Sequence, residues 1–378
     1  MGRKVYFDTD MLCHSLISGR GVYEATGAPE RVPVGTTPES AFGIPLRNIF
    51  SSEYFFIKRL PLRGAMPETI RTRILNPPDC SCILWPSDLI RLKEDSPAQT
   101  DIRAANTYDE LCPPPPADSA EYGLLFPYRD YPPADPLDHL LSRVERSGGH
   151  GWQNAHVRSI AVHLTETLQA LNRSRYCYFD FTPSRLLVDE NDGVFLDYSP
   201  LAIPRWELES ANAALREENL TLRPSEYPIE FAEPALVQGV CRQADERMQN
   251  YSLAAFLFWL LFGAYAYDGR LMEYYPDRDA MEHYTKFRQY HKKPVFVFDP
   301  DDPSNRLGAM DMESDQGEMR LWEAAPEKLK ETFLAILRED NAVRSVPNRC
   351  LTPAGWLQLF ASLGWQNSYS NSDEGDAM

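Results

Sequence analysis

The chain has 378 residues, of which 43% are apolar and 25% charged, enough apolar content to bury a sizeable core. Its 55 acidic residues outweigh 38 basic ones for a formal charge of -17. That balance excludes a general polyanion binder, because phosphate contacts need clustered Lys and Arg, so no nucleic-acid partner is expected. The longest apolar run, residues 253–266, is broken by Gly263 and falls short of the ~20 residues of a membrane span. Asp8 and Asp10 leave no room for an apolar leader core, and seven cysteines without a CxxC pair fit a reducing compartment. A soluble, cytoplasmic protein is expected.

In chain order, the first third reads as strands. Tyr54, Phe55, Phe56 and Ile57 form an aromatic and β-branched run; Ile83 to Trp85 and Gly123 to Phe126 are similar, each followed closely by proline. Between them, residues 93–121 carry Pro113 to Pro116 among Asp and Ser, a long surface loop. After Pro127 the character turns helical. Val157, Ile160, Ala161, Leu164, Leu168 and Leu171 make a helical stripe. Two short strands, residues 185–189 and 194–197, flank Glu190, Asn191, Asp192 and Gly193, a hairpin turn signal. Residues 251–262 are apolar all round and predict a helix buried in the core. Two amphipathic helices follow at 329–337 and 353–363, and the polar tail 366–378 reads as disordered.

The hairpin carries the candidate chemistry. Asp180 sits just before its first strand and Asp197 closes the second. Phosphoryl transfer uses two carboxylates this way, one to position a hydroxyl and one to hold metal on the phosphates. Two ordinary loop aspartates capping strand ends would look the same.

From Tyr178 to Val188 and on to Asp197, the chain resembles the eukaryotic-like protein kinase family, in particular a divergent bacterial branch with a catalytic loop of the form G-D-x-x-P-x-N. The resemblance covers roughly residues 15–363. Tyr54 to Lys58 looks like the strand whose Lys contacts phosphates; Ile83 to Pro86 and Gly123 to Pro127 look like the strands leading to the hinge at Phe126. Glu230 to Leu236 stands in the place of the A-P-E segment. Residues 251–269 resemble the central helix and its loop, and residues 298–303, Trp322 and 349–356 resemble the branch's C-terminal segments. This implies an α+β, two-lobed fold: a strand-rich N-lobe over residues 1–127 and a mainly helical C-lobe over 128–365.

Carried over by position, Lys58, Asp180 and Asp197 match the phosphate-binding Lys, the catalytic-loop Asp and the metal-binding Asp. The departures are many. Arg185 replaces the metal-binding Asn, putting a fixed positive charge where a second cation would sit. H-R-D reads Tyr178, Phe179, Asp180, and D-F-G reads Asp197, Tyr198, Ser199. The Asp that opens the central helix aligns with Gln249. Ala235 stands where the A-P-E Glu should be, with Glu233 as the nearest substitute for its partner Arg349. Gly19 and Gly21 echo the glycine-rich loop with one glycine missing, although a plain turn reads the same. Glu68 is the candidate partner of Lys58, or equally a first-turn Glu favoured by the helix dipole.

These losses imply a pseudokinase acting as scaffold or regulator, with ATP and Mg bound weakly if at all and a protein as partner. Relatives of the branch sit beside von Willebrand-type and PP2C-type phosphatase proteins. Three other readings stand: an atypical active Ser/Thr kinase using Lys58, Asp180 and Asp197 with one metal, a small-molecule kinase of the aminoglycoside phosphotransferase type, and an interaction module with a closed cleft. Elsewhere, Cys80 and Cys82 lie two apart with no second pair to complete a zinc site. The basic cluster 286–293 reads as a solvated helix face, with docking of an acidic partner or of nucleic acid as the alternative.

Overall fold

The computed structural model describes residues 13–14, 22–25, 30–31, 42–48, 51–60, 67–92, 121–127, 134–146, 151–199, 201–214, 228–234, 245–273, 294–307, 316–338 and 350–365. Gly19, Gly21, most of the proline-rich loop, the basic cluster, Arg349 and the acidic tail lie outside them. The fold is mixed α+β. The chain forms two compact units: Met1–Leu140 with Pro183–Asn191 and Phe195–Pro200, and Leu141–Thr182 with Asp192–Val194 and Leu201–Met378.

The first unit is built on an antiparallel sheet. Its strands are β1 (Cys13–His14), β2 (Val22–Ala25), β3 (Glu30–Arg31), β4 (Phe42–Asn48), β5 (Tyr54–Leu60), β6 (Asp88–Leu92) and β7 (Glu121–Pro127). They run in the order β1-β2-β4-β5-β7-β6, with β3 paired to β4. β5 and β7 make the centre, registering Phe56 on Phe126 and Lys58 on Leu124. At Gly123 a Cβ would lie 2.3 Å from Ile57 Cδ1, so the Ile57 side chain packs directly over the bare glycine.

Helix α1 (Pro67–Leu75) places Ile70 and Ile74 one turn apart on the same face. Both enter a core with Phe56, Leu89, Leu124, Phe126 and Tyr198. Burying each isoleucine contributes about 1.5–3 kcal/mol. A smaller sheet, in the order β11-β10-β8, joins β8 (Ala134–Pro136), β10 (Leu186–Asp189) and β11 (Val194–Leu196). Under it, Leu84, Ala134 and Leu187 cluster with Phe195 packed against them.

One expected strand is absent as such. Ile83 makes a single parallel bridge to Leu196, and the paired strand begins only at Asp88. Pro86 explains the shift: it has no N–H to donate, and it restricts Trp85 before it.

The boundary between the units falls within α2 (Leu137–Arg146). The second unit is mainly helical: α3 (Ala155–Arg173), α4 (Arg205–Ala214), α5 (Glu246–Phe262), α6 (Arg270–Glu273), α7 (Gln316–Glu323), α8 (Glu327–Leu337) and α9 (Pro353–Ser362). β9 (Tyr176–Tyr178) and β12 (Ala202–Pro204) form an antiparallel pair. The stripe of α3 is buried as its spacing predicts.

Helix α5 is the axis of this unit, buried on nearly every face and packed by α3, α7 and α8. Asp245 caps it by accepting the N–H groups of Arg247 and Met248. Gly263 ends it at φ 76°, where a side chain would be strained, and its N–H returns to Trp259 O at 2.8 Å. Phe258 and Phe262 meet Phe333 and Trp322 edge to face, so aromatic packing closes the core.

Candidate functional site

The candidate residues lie on the segment from β9 to Ser199. β9 is apolar on both faces, with Tyr176, Cys177 and Tyr178 all buried. Beyond it, the Phe179 N–H donates to Leu201 O at 3.1 Å, extending the pairing with β12 by one residue. Phe179 and Phe181 are buried while Asp180, between them, is half-buried. Aromatic neighbours on alternate positions therefore anchor the chain and turn Asp180 the other way. The Thr182 hydroxyl donates to Asp180 Oδ1 at 2.6 Å.

The same loop is tied to the helical core by Gln249, which is 0% exposed. Its Oε1 accepts the Tyr178 N–H at 2.8 Å, and its Nε2 donates to Asn172 Oδ1 at 3.1 Å. One amide thus joins α5, the end of α3 and β9, with donor and acceptor both used, as burial demands.

Arg185 and Asp197 belong to the first unit. The Asp197 N–H donates to Arg185 O at 2.8 Å, which sets the two residues opposite each other. The Arg185 guanidinium, its side chain 32% exposed, then reaches Asp197 Oδ2 at 3.2 Å, while Asp197 is only 1% exposed. Asp197 Oδ1 accepts the following Tyr198 N–H at 3.0 Å. Both carboxylate oxygens are engaged, and the cation beside them is part of the chain.

The strand before Asp197 is pinned to residues 82–84 through both the N–H and the carbonyl of Leu196. The Leu196 N–H donates to Cys82 O and the Leu84 N–H donates to Leu196 O, each at 2.9 Å. Tyr198 continues inward, edge to face with Trp85 at 5.1 Å between ring centroids. Phe126 lies on its other side, stacked on Phe56 at 5.3 Å.

The remaining sequence candidates are placed as follows. Lys58 lies on β5 and Glu68 in the first turn of α1. The Phe126 ring, 2% exposed, is a core side chain of the first unit. Glu233 is 0% exposed and lies near Tyr251 and Cys350. Burial pushes the Cys350 thiol up to about 12, with the Glu233 charge adding to it. Tyr251 is raised by burial and by the Tyr267 hydroxyl, with which it shares a hydrogen bond.

Sequence reasoning missed two features. The aromatic trio of Trp85, Phe126 and Tyr198 was signalled only by a tyrosine in place of the usual phenylalanine at position 198. The Gln249 bond to the Tyr178 backbone had no signal in the residue types.

Both Asp197 oxygens accept a hydrogen bond, Oδ2 from the Arg185 guanidinium and Oδ1 from the Tyr198 amide, and an arginine stands where the resemblance places the second metal ligand. Among the described residues, no group of three or more His, Cys, Asp or Glu is arranged to hold a metal ion. No known protein-family profile matches the chain, and no curated protein matches it.

Proposed function

We propose that this is a protein of two-lobed, kinase-like fold whose metal position has been taken over by an arginine, a pseudokinase that serves as scaffold or regulator. The observation that carries the reading is the Arg185–Asp197 ion pair at 3.2 Å. Asp197 is the residue that the resemblance assigns to the metal, and the guanidinium paired with it is permanently attached and cannot lose its charge. Phosphoryl transfer relies on metal charge to stabilise the transferring group, and losing one such stabiliser costs about 100- to 1000-fold in rate. Two further features support the reading. The order of elements is a strand-rich first unit and a helical second unit with an all-buried helix. The Gln249 acceptor holds the backbone of the Asp180 loop as a structural carboxylate would. The function is then binding: a protein partner docks on a kinase-shaped surface, in the cytoplasm, with phosphatase-type or von Willebrand-type proteins as candidates.

The test is the thermal shift of the full chain with ATP, with and without magnesium or manganese, beside radiolabel transfer to itself and to a generic acceptor. Wild type is expected to show no metal-dependent shift and background transfer. Arg185→Asn, which releases Asp197, is expected to gain a metal-dependent shift. Transfer above background that disappears in both Lys58→Ala and Asp197→Asn would overturn the proposal in favour of an atypical active Ser/Thr kinase.

A further inference from the structure

Cys80 and Cys82 occupy the bend at residues 79–82 that leads into the bridge beside Asp197. Neither is in a disulfide, both are partly exposed, and the two thiols share a hydrogen bond. The neighbouring backbone is committed: Cys82 O accepts the Leu196 N–H at 2.9 Å, one residue before Asp197. Two sulfurs in contact, reachable from solvent, on a turn whose carbonyl pins a functional strand make a chemical site as well as a structural one.

We propose that Cys80 and Cys82 form a reversible disulfide by exchange with a small-molecule disulfide of the glutathione type, and that closing it loosens the bridge holding the Leu196 strand. The step runs as two exchanges. The Cys80 thiolate attacks one sulfur of the small disulfide, making a mixed disulfide on Cys80 and expelling one small thiolate. Cys82 then gives up its proton as its sulfur attacks the Cys80 sulfur, closing the bridge and expelling the second small thiolate. Two electrons pass from the protein dithiol to the small disulfide, and the two released protons end on the two small thiols.

The order of attack follows from the pair itself. The hydrogen bond to Cys80, burial and the charge on Cys80 all hold Cys82 protonated, pushing its thiol well above the ordinary range. Cys82 is thus the thiol held protonated, which leaves Cys80 as the attacking sulfur, because the thiolate is the reactive form. A disulfide two residues apart closes a tight ring, and strained bridges are the easily reduced, regulatory ones. Bringing the Cys82 sulfur onto Cys80 turns the Cys82 peptide, whose carbonyl is the acceptor for Leu196. The pair needs no nucleotide and no partner, so its fate is independent of the pseudokinase reading.

The experiment titrates the full chain with reduced and oxidised glutathione, quenches with alkylating agent under denaturing conditions, and maps the adducts by mass spectrometry. The expected result is a bridge within the Cys80–Cys82 peptide that reverses on adding reduced glutathione. Cys82→Ser should instead trap one glutathione on Cys80, whereas Cys80→Ser should react far more slowly. Hydrogen exchange on the bridged protein should show the Leu84 and Leu196 amides exchanging about tenfold faster, the size expected from weakening a local hydrogen-bonded opening. A mixed disulfide that never closes, or no reaction at Cys80, overturns the site. A bridge that leaves both amides unchanged overturns its effect on the strand. Because the serine variants alter one atom at a partly exposed turn, they are expected to fold.

Discussion

The two aspartates of the candidate site have opposite surroundings. Asp197 is 1% exposed, with one oxygen on the Arg185 guanidinium and the other on a backbone N–H. Asp180 is half-buried and takes a hydroxyl from Thr182, two residues on. The loop that carries Asp180 is held by the Tyr178 bond to Gln249 and by Phe179 and Phe181 in the core. At Asp197 a guanidinium stands beside the carboxylate. The two differ in electrostatics rather than in packing, and the proposed pseudokinase reading leans most on that contrast.

The strongest way to break that contrast is Arg185→Ala. It leaves a buried carboxylate without its cation, which costs about 3–5 kcal/mol for a fully buried pair. Water reaches the guanidinium here, because a third of the Arg185 side chain is exposed, so the expected loss is about 2–3 kcal/mol. Urea unfolding measures it. Adding Asp197→Asn should restore part of the loss, because the stranded charge is then gone. Asp180→Asn alone should cost well under about 1 kcal/mol, as an exposed-side polar exchange does. Equal losses at positions 180 and 185 would erase the distinction.

Much of this was legible from the sequence because periodicity reports burial. The α3 stripe is buried as read, and the all-apolar α5 ends at Phe262 as read but begins five residues earlier, at Glu246. Position 83 was misread because Ile83, Leu84 and Trp85 have strand composition, yet Pro86 denies them a ladder and only the bridge to Leu196 forms. Arg185 was visible as a replaced ligand. Its pairing with Asp197, 12 residues away, depends on hairpin register, which residue types alone do not set. The Gln249 bond likewise spans 71 residues and is a tertiary fact.

Gln249→Ala sharpens the other half of the contrast, the support of the Asp180 loop. It strands the buried Tyr178 N–H and removes the partner of Asn172, and one unsatisfied buried donor costs about 1–3 kcal/mol. The expected loss is about 2 kcal/mol by urea unfolding, with Gln249→Glu costing less because its oxygen still accepts. A loss near zero would mean that β9 is held by its aromatic packing alone.

Alkaline pH tests how dry that strand is. Burial pushes the Cys177 thiol from 9.0 to about 12, against the lowering influence of the Arg205 charge. The folded value lies above the unfolded one, so the native state keeps a proton that the unfolded chain has released. Stability from this group is whole below pH 9 and falls as pH rises through about 12, by about 1.4 kcal/mol per pH unit for one group. Cys177→Ala should flatten the slope of unfolding free energy against pH between 9 and 12 by that amount. An unchanged slope would show water at β9.

A small effect is expected at Thr182, and it bears most directly on Asp180. Thr182→Val keeps the side-chain shape and removes the hydroxyl that donates to Asp180 Oδ1 at 2.6 Å. Both residues are partly exposed, so water replaces the lost donor and the cost should be about 0.5–1 kcal/mol. It should appear as a lower urea midpoint with an unchanged m-value, since no surface is newly exposed. Thr182→Ser, which retains the donor, should restore most of it. A loss above about 2 kcal/mol would mean that Asp180 is held in a buried network as Asp197 is, because only an unreplaced buried partner costs that much. The two carboxylates would then differ only in which donor fixes them, and position 185 would no longer stand apart.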